Sequence, residues 1–257
     1  MVPESNSYHI DLTTGYGVKY FWLGRVTSVI GQDTKRRLTG IWSHKCPLES
    51  TITVGKEFIK GILPLFGNTK YSMHADNRIL RQVTFANGAD AWEFMRCNPS
   101  PWGVSAYETG DGIGKVINNR FLGRLIKRGG KCILYTHLGK LADTENKFNN
   151  QTKKAFELLK SYSNANDILV TTTKRLLDYT LMTSKIRIDQ TNDNGKLKIS
   201  LNNPDHLSLD GLSIKLDQDN NFELYVNNTL NSDYKVNLHK GGSTLYFPWH
   251  PLKQPNI

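Results

Sequence analysis

The predicted fold depends on one stretch, KCILYTHLGK, at residues 131–140. The apolar run at 132–135 has the length of a buried strand, and glycines bound it on both sides. Such a strand would place His137 at its carboxyl end, and in parallel α/β sheets that edge collects catalytic and ligand-binding groups. His137 is therefore a candidate functional residue, and a hydrogen-bonded structural histidine is the alternative.

Helical patterns surround this stretch. Before it, apolar residues recur at spacings of three and four across 112–128, which predicts an amphipathic helix. After it, two further helices are predicted at about 150–161 and 174–183, with a short strand at 168–171 between them. Because strands alternate with helices here, we expect parallel pairing of the strands.

The earlier part of the chain is predicted to be mostly strands and loops. The aromatic run at 18–22 and the apolar run at 91–96 both favour strands. Between them, residues 33–90 lack a long helical period and are interrupted repeatedly by glycine and proline. We expect this region to form hairpins and loops on one face of the fold.

The pattern changes after about residue 184. Six short segments between 185 and 247 alternate apolar and polar residues, with Asn-Gly, Asp-Gly and Asp-Asn-Asn turns between them. This alternation predicts a small antiparallel β-domain of the sandwich type. The sequence thus predicts an α/β domain over 1–184 and a β-domain over 185–257.

The composition is that of a globular protein with a basic surface. The chain has 257 residues, of which 38% are hydrophobic, and a formal net charge of +10. The basic residues are scattered and follow no zinc-finger, basic-zipper or RNA-recognition pattern, so no specific nucleic-acid site is predicted. The three cysteines form neither a metal motif nor a disulfide framework. No apolar run could span a bilayer and no signal peptide is visible, so a cytoplasmic location is the default expectation.

The segment at 132–139, the helix and strand that follow it, and RLLDY at 175–179 resemble the carboxyl-terminal part of the polysaccharide deacetylase family, the NodB-homology carbohydrate esterases. The resemblance implies a distorted (β/α) barrel that removes N- or O-acetyl groups from sugars with a divalent metal such as zinc. It also implies that His137 is the general acid and that Leu134 lies near the acyl methyl group. An imidazole suits that role because it titrates near neutral pH.

An upstream segment adds to the resemblance. FMRCNP at 94–99, followed by Trp-Gly at 102–103, is similar to the family's arginine-proline-aromatic-glycine motif. This similarity implies that Arg96 orients the catalytic base and that Trp102 walls the substrate cleft. Asp111 is the candidate for the carboxylate that tunes His137, and capping the next helix is its alternative role.

The family's metal motifs, an aspartate pair and a His-x-x-x-His, do not occur in this chain. A zinc ion needs roughly three protein ligands before it activates water, and we assign none here, although His9 with Asp11, or His74 with Asp76, could supply one. Few barrel strands are apparent. We therefore expect an incomplete, partial (β/α) barrel that lacks its first strands, which a missing N-terminal half or a partner polypeptide would supply.

Three functional interpretations remain open. The first is a metal-dependent deacetylase acting on a carbohydrate substrate, of which this chain is the second half. The second is a noncatalytic carbohydrate-binding or structural module derived from that fold. In that case some of the five tryptophans would stack on sugars, although most should lie in the core; the five are Trp22, Trp42, Trp92, Trp102 and Trp249. The third is a basic adaptor that binds polyanions.

Overall fold

The structure is a computed structural model that describes residues 10–34, 42, 47–67, 77–99, 108–142, 145, 147–193, 195–217 and 222–251. The chain divides into two compact units, unit 1 at Met1–Thr171 and unit 2 at Thr172–Ile257. The helix predicted at 174–183 therefore belongs to the same unit as the strands that follow it, whereas the sequence-based boundary was placed at residue 184.

Unit 1 combines short strands with five helices among its described residues. In chain order these are α1 (Ile10–Gly15), β1 (Tyr20–Phe21), β2 (Val26–Thr27), α2 (Pro47–Ile62), β3 (Leu80–Thr84), β4 (Asp90–Phe94), β5 (Arg96–Cys97), α3 (Ile113–Val116), α4 (Asn119–Arg128) and α5 (Asn150–Asn164). Strands β3 and β4 form an antiparallel hairpin, to which β1 adds in parallel. Strands β2 and β5 form a separate parallel pair.

The predicted parallel (β/α) barrel-like domain is wrong. Among the described residues the sheets stay small and separate, most strand pairs are antiparallel, and no barrel closes. The run at 132–135 joins no ladder, because only isolated bridges at its two ends, Gln32 with Lys131 and Thr109 with His137, tie it to other segments. The run at 168–171 is not a strand either, and Leu169 and Val170 are exposed.

The expectation of hairpins and loops over 33–90 is wrong at helix α2. This helix is attached to the strands by polar contacts rather than by a long apolar stripe. The buried Glu57 carboxylate accepts a hydrogen bond from the Ser28 backbone N–H (3.3 Å). The Lys60 ammonium donates to the Val26 carbonyl oxygen (2.8 Å). Leu48, Ile52, Ile59 and Ile62 do recur at helical spacing, but Gly55 and Gly61 interrupt the pattern, and Phe58 is exposed.

The helical part of unit 1 follows the sequence more closely. The predicted helix at 112–128 is two helices, α3 and α4, because Asn118 interrupts it and caps α4 by accepting from the Phe121 backbone N–H (3.0 Å). Gly129 ends α4 in the left-handed conformation. The helices α3, α4 and α5 share one apolar core that contains Ile113, Val116, Ile117, Phe121, Leu122 and Ala155.

Unit 2 contains one helix and seven strands among its described residues. They are α6 (Thr173–Lys185), β6 (Arg187–Asp193), β7 (Lys196–Asn202), β8 (Ser213–Leu216), β9 (Phe222–Val226), β10 (Thr229–Leu230), β11 (Lys235–His239) and β12 (Gly242–Tyr246). One sheet has the order β10-β9-β7-β6, in which β7 and β9 are parallel. The other sheet, β11-β12-β8, is antiparallel.

The two sheets and α6 bury one shared core. It contains Met182 from the helix, Ile199 and Leu224 from the first sheet, and Ile214 and Leu245 from the second. The buried residues alternate along β7 and β8, as expected for strands with one face on a core. The opposite face of β7 is therefore polar and turned toward solvent.

The last described segment of unit 2 packs back on α6. The Trp249 ring lies 5.9 Å from the Tyr179 ring and 5.5 Å from the Arg175 guanidinium, measured between centres. Next to it, His250 Nδ1 and an Asp210 carboxylate oxygen are 2.7 Å apart. Burial acts to raise the pKa of Asp210, but hydrogen bonds from Ser208 and His250 outweigh it and hold that pKa below its usual value.

Across the described part of the chain, none of the helices combines the length and the apolarity that crossing a bilayer requires.

Candidate functional site

His137 lies on an extended segment that backbone hydrogen bonds hold in place. Its own N–H donates to the carbonyl oxygen of Glu108 (2.9 Å), and the Cys97 N–H donates to the carbonyl oxygen of Ile133 (2.8 Å). The segment at 132–137 therefore lies beside both β5 and residues 108–109. These contacts bring Arg96, on β5, close to His137.

Tyr135 links the two predicted residues. Its hydroxyl lies 3.0 Å from His137 Nε2, and the two rings meet edge to face at 4.8 Å. On its other side, the Tyr135 ring lies 4.0 Å from the centre of the Arg96 guanidinium. Residues two apart on an extended segment share a face, so this arrangement follows directly from the local backbone. Tyr135 is 39% exposed, which leaves this end of the site open to solvent.

Arg96 is stacked between two aromatic rings. The Trp22 ring covers its second face at 3.3 Å, and a Glu108 carboxylate oxygen lies 3.8 Å from its guanidinium. Burial lowers the pKa of Arg96 from its usual value, while Glu108 and Tyr135 act in the opposite direction. Its buried Nε has no hydrogen-bond partner among the described residues. A ligand oxygen could satisfy such a donor.

Hydrogen bonds to one shared carbonyl oxygen hold Trp22 over Arg96. The indole N–H of Trp22 donates to the carbonyl oxygen of Arg25 (2.9 Å), and the Arg96 backbone N–H donates to the same oxygen (3.3 Å). The Arg25 side chain is paired with the fully buried Glu93 (2.8 Å), which Arg81 also binds (2.6 Å). Removing one partner of a buried ion pair is strongly destabilising, so this pair holds the Arg25 side chain in the interior of unit 1.

Two thiols lie behind the site. The buried Cys97 thiol donates to the Val29 carbonyl oxygen (3.5 Å). A hydrogen bond with Cys97, together with burial, raises the pKa of the Cys132 thiol well above its usual value. A thiol whose pKa is raised is a poor nucleophile and a poor metal ligand. Cys132 therefore acts as a packing group in this arrangement.

We call the set Trp22, Arg96, Glu108, Tyr135 and His137 the aromatic-arginine cluster. Of the residues that the sequence singled out, it contains Arg96 and His137. Leu134 packs against the helical core of unit 1, and Trp102 lies outside the described residues.

Asp111 holds a loop. Its carboxylate accepts hydrogen bonds from the Ala142 backbone N–H (2.6 Å) and from the Asn149 side-chain amide (3.0 Å). It does not supply the cap of α3, since the N-cap residue is Gly112 and no side chain caps this helix. None of the hydrogen bonds found for Asp111 reaches His137.

Sequence reasoning missed Glu108 and Tyr135, and it named Trp22 only as one of five candidate sugar-stacking tryptophans, without its contact to Arg96. Tyr135 could have been found, because an aromatic residue two positions from a candidate histidine on a strand shares its face. Trp22 and Glu108 reach Arg96 only through the pairing of distant segments. No local pattern of the sequence signals those contacts.

The residues that the structure describes do not fit the divalent metal that the resemblance implies. Among them, no group of three or more histidine, cysteine, aspartate or glutamate side chains is placed to hold a metal ion. Three of the seven histidines, His9, His44 and His74, lie outside the described residues. We therefore derive no chemical step through a metal.

Comparisons with known proteins add no assignment: no family model, no curated protein and no solved structure matches this chain.

Proposed function

We propose that unit 1 is a carbohydrate deacetylase in which His137 protonates the leaving group. One observation supports this most directly: Arg96 and His137, which the resemblance pairs at one active site, are joined by Tyr135 within a single partly exposed cluster. The support comes from the site alone, because the barrel that the same resemblance implies is not the fold of this chain.

The chemistry requires a proton at a defined point. When water adds to the acyl carbon of an acetylated sugar, the C–N or C–O bond breaks and the departing nitrogen or oxygen must take up a proton. His137 is half-buried, with its ring held by the Tyr135 hydroxyl, so an imidazolium there can donate to a group that approaches from solvent. The activation of the water is not assigned to any described residue.

Arg96 would act on the same substrate in a different way. Its charge is always present, and its buried Nε–H lacks a partner among the described residues. An acyl oxygen that gains negative charge as water adds is stabilised by such a donor. Glu108, at 3.8 Å, keeps the guanidinium from being an isolated buried charge.

Sugar binding without hydrolysis is the second candidate, and exposed aromatic surface favours it. Trp22 and Tyr135 each turn one face toward Arg96, yet both remain 39% exposed. Partly exposed aromatic rings beside polar side chains offer an apolar body and a polar edge to one ligand. The two candidates share a site and differ in whether acetate is released.

The deciding experiment measures acetate release from acetylated chito-oligosaccharide by the full chain, together with calorimetric titration of Zn²⁺ and Co²⁺. We expect acetate release, and a loss of about 10²- to 10⁴-fold in His137→Ala with an unchanged thermal midpoint. His239→Ala is the matched control, since His239 is exposed on β11 of unit 2. Binding of the oligosaccharide without acetate release would overturn hydrolysis in favour of the second candidate, and no binding would exclude both.

A further inference from the structure

The outer face of the four-stranded sheet in unit 2 carries polar side chains in register. Strand pairing sets Arg187 opposite Asn202, and Asp189 opposite Ser200. Ser200 in turn lies opposite Tyr225 on β9. Ile199 and Leu201 point to the core, so these side chains between and beside them face solvent. The face therefore presents charged, amide, hydroxyl and phenol groups on a rigid sheet.

A cavity of about 570 Å³ opens at one end of this face. Its wall is formed by the end of α6, the start of β6 and the turn after β7, and includes Lys185, Arg187, Asn202 and Asp205. The volume falls within the range of about 300–1,000 Å³ that small-molecule sites occupy. Groups placed on strands are held more accurately than groups on loops.

The charges in the cavity favour a ligand with one carboxylate among neutral polar groups. Lys185 forms an ion pair with Asp205, so these two charges offset each other. No ion pair joins Arg187 to an acidic side chain among the described residues, which leaves one excess positive charge. A guanidinium binds a carboxylate through two parallel N–H groups, and Asn202 beside it can donate to or accept from a hydroxyl.

The rest of the face indicates an elongated ligand with hydroxyl groups. The Lys198 ammonium lies over the Tyr225 ring at 4.4 Å, and the Tyr225 hydroxyl donates to Glu223 (2.9 Å). Acidic and basic side chains alternate here, so a uniformly charged phosphate backbone would meet repulsion from Asp189 and Glu223. A sugar chain offers hydroxyls to both kinds of group.

We infer that this cavity, with the outer face of the four-stranded sheet, binds an oligosaccharide that carries a carboxylate, with Arg187 as the residue that recognises the acid group. The inference concerns unit 2 and is independent of hydrolysis in unit 1, because it is measured as binding whether or not acetate is released.

The test is calorimetric titration of the full chain with a chitin hexasaccharide oxidised to a single carboxylate at its reducing end, and with the neutral chitin hexasaccharide for comparison. We expect the acidic sugar to bind and Arg187→Gln to weaken it by at least about tenfold, the typical effect of losing a charge-assisted hydrogen-bond pair. Lys235→Gln is the matched control, because it removes the same charge from the exposed strand β11. Thermal unfolding of both variants establishes that they fold.

Three results would overturn the inference. Equal losses in Arg187→Gln and Lys235→Gln would mean that only the overall charge attracts the sugar. Equal affinity for the neutral hexasaccharide would mean that no carboxylate is recognised. Competition by single-stranded DNA at equal charge concentration would mean that any polyanion binds. Asp205→Asn gives a second measure, since it removes one negative charge from the cavity wall and should tighten binding of the acidic sugar.

Discussion

Gly211 is a position in unit 2 at which one added methyl group should have a large effect. Its φ is +78°, a left-handed conformation that L-residues rarely adopt, and a Cβ there would lie 2.9 Å from Trp249 Cη2 and nearer still to two other indole atoms. Gly211→Ala therefore combines backbone strain with a steric clash. The indole cannot simply move away, because Tyr179 and Arg175 of α6 lie against it.

Gly195 separates the two contributions. Its φ is +80°, almost the same value, but a Cβ there would meet nothing within 4 Å. Gly195→Ala should cost about 1–2 kcal/mol of unfolding free energy, the cost of the left-handed conformation alone. Gly211→Ala should cost a further 1–3 kcal/mol or so, the usual range for overpacking. The difference between the two variants measures the clash.

The assay is urea unfolding of the full chain followed by circular dichroism, with midpoints compared between variants. A third variant tests the cause: when Trp249→Ala removes the indole, adding Gly211→Ala should cost no more than Gly195→Ala does. Equal destabilisation by Gly211→Ala and Gly195→Ala in the native background would refute the packing of Trp249 against Gly211. So would a full Gly211→Ala penalty that persists without the indole.

Three further outcomes are expected. Tyr135→Phe keeps the ring against Arg96 and removes one hydroxyl, so it should lower the unfolding free energy by about 1 kcal/mol or less. Tyr135→Ala also removes the ring and should lower the unfolding free energy clearly more. Equal losses in urea unfolding would contradict the stacking of Tyr135 on Arg96. Burial acts to raise the pKa of Asp210, but hydrogen bonding lowers that pKa in the folded state. The ionised carboxylate therefore stabilises the fold fully at pH values above the pKa of an unfolded aspartate, about 3.9. This stabilisation is lost as the pH falls through the folded-state pKa. Thermal midpoints measured from neutral to acid pH should therefore fall less steeply in Asp210→Asn than in the native chain, and parallel curves would exclude this contribution. Because its pKa is raised, Cys132 should resist iodoacetamide at mildly alkaline pH until urea unfolds the chain, as read by mass spectrometry; rapid native labelling would contradict its burial.

Local patterns predicted those elements whose stability is local. Helices α5 and α6 lie where apolar residues recur at helical spacing, and their caps, Asn149 and Thr172, are of the expected type. In unit 2, the alternation of apolar and polar residues marked β7 and β8 closely. In each case the residues that determine the element lie within it.

Predictions failed where distant segments decide the structure. A run of four apolar residues has no period that distinguishes a strand from a straight, partly covered segment. At 132–135 the backbone is extended, but its neighbours bond it only at isolated points. Helix α2 was missed for a different reason: Gly55 and Gly61 lie inside it, although Leu48, Ile52, Ile59 and Ile62 recur at helical spacing. The parallel pairing predicted from the order of the elements does not form at 132–135 and 168–171, because neither run is a strand.

In the candidate site, too, the sequence predicted the residues of local motifs but not the contacts between distant segments. His137 and Arg96 were found because each stands in a recognisable local motif, but their relation depends on three chain segments meeting. The Arg25 carbonyl oxygen accepts hydrogen bonds from the indole N–H of Trp22 and the backbone N–H of Arg96. The Arg25 side chain is held by its ion pair with the buried Glu93. A charge buried in this way is costly unless paired. The cluster is therefore held from within unit 1, so the sugar binding that we propose for it does not need a closed barrel around it.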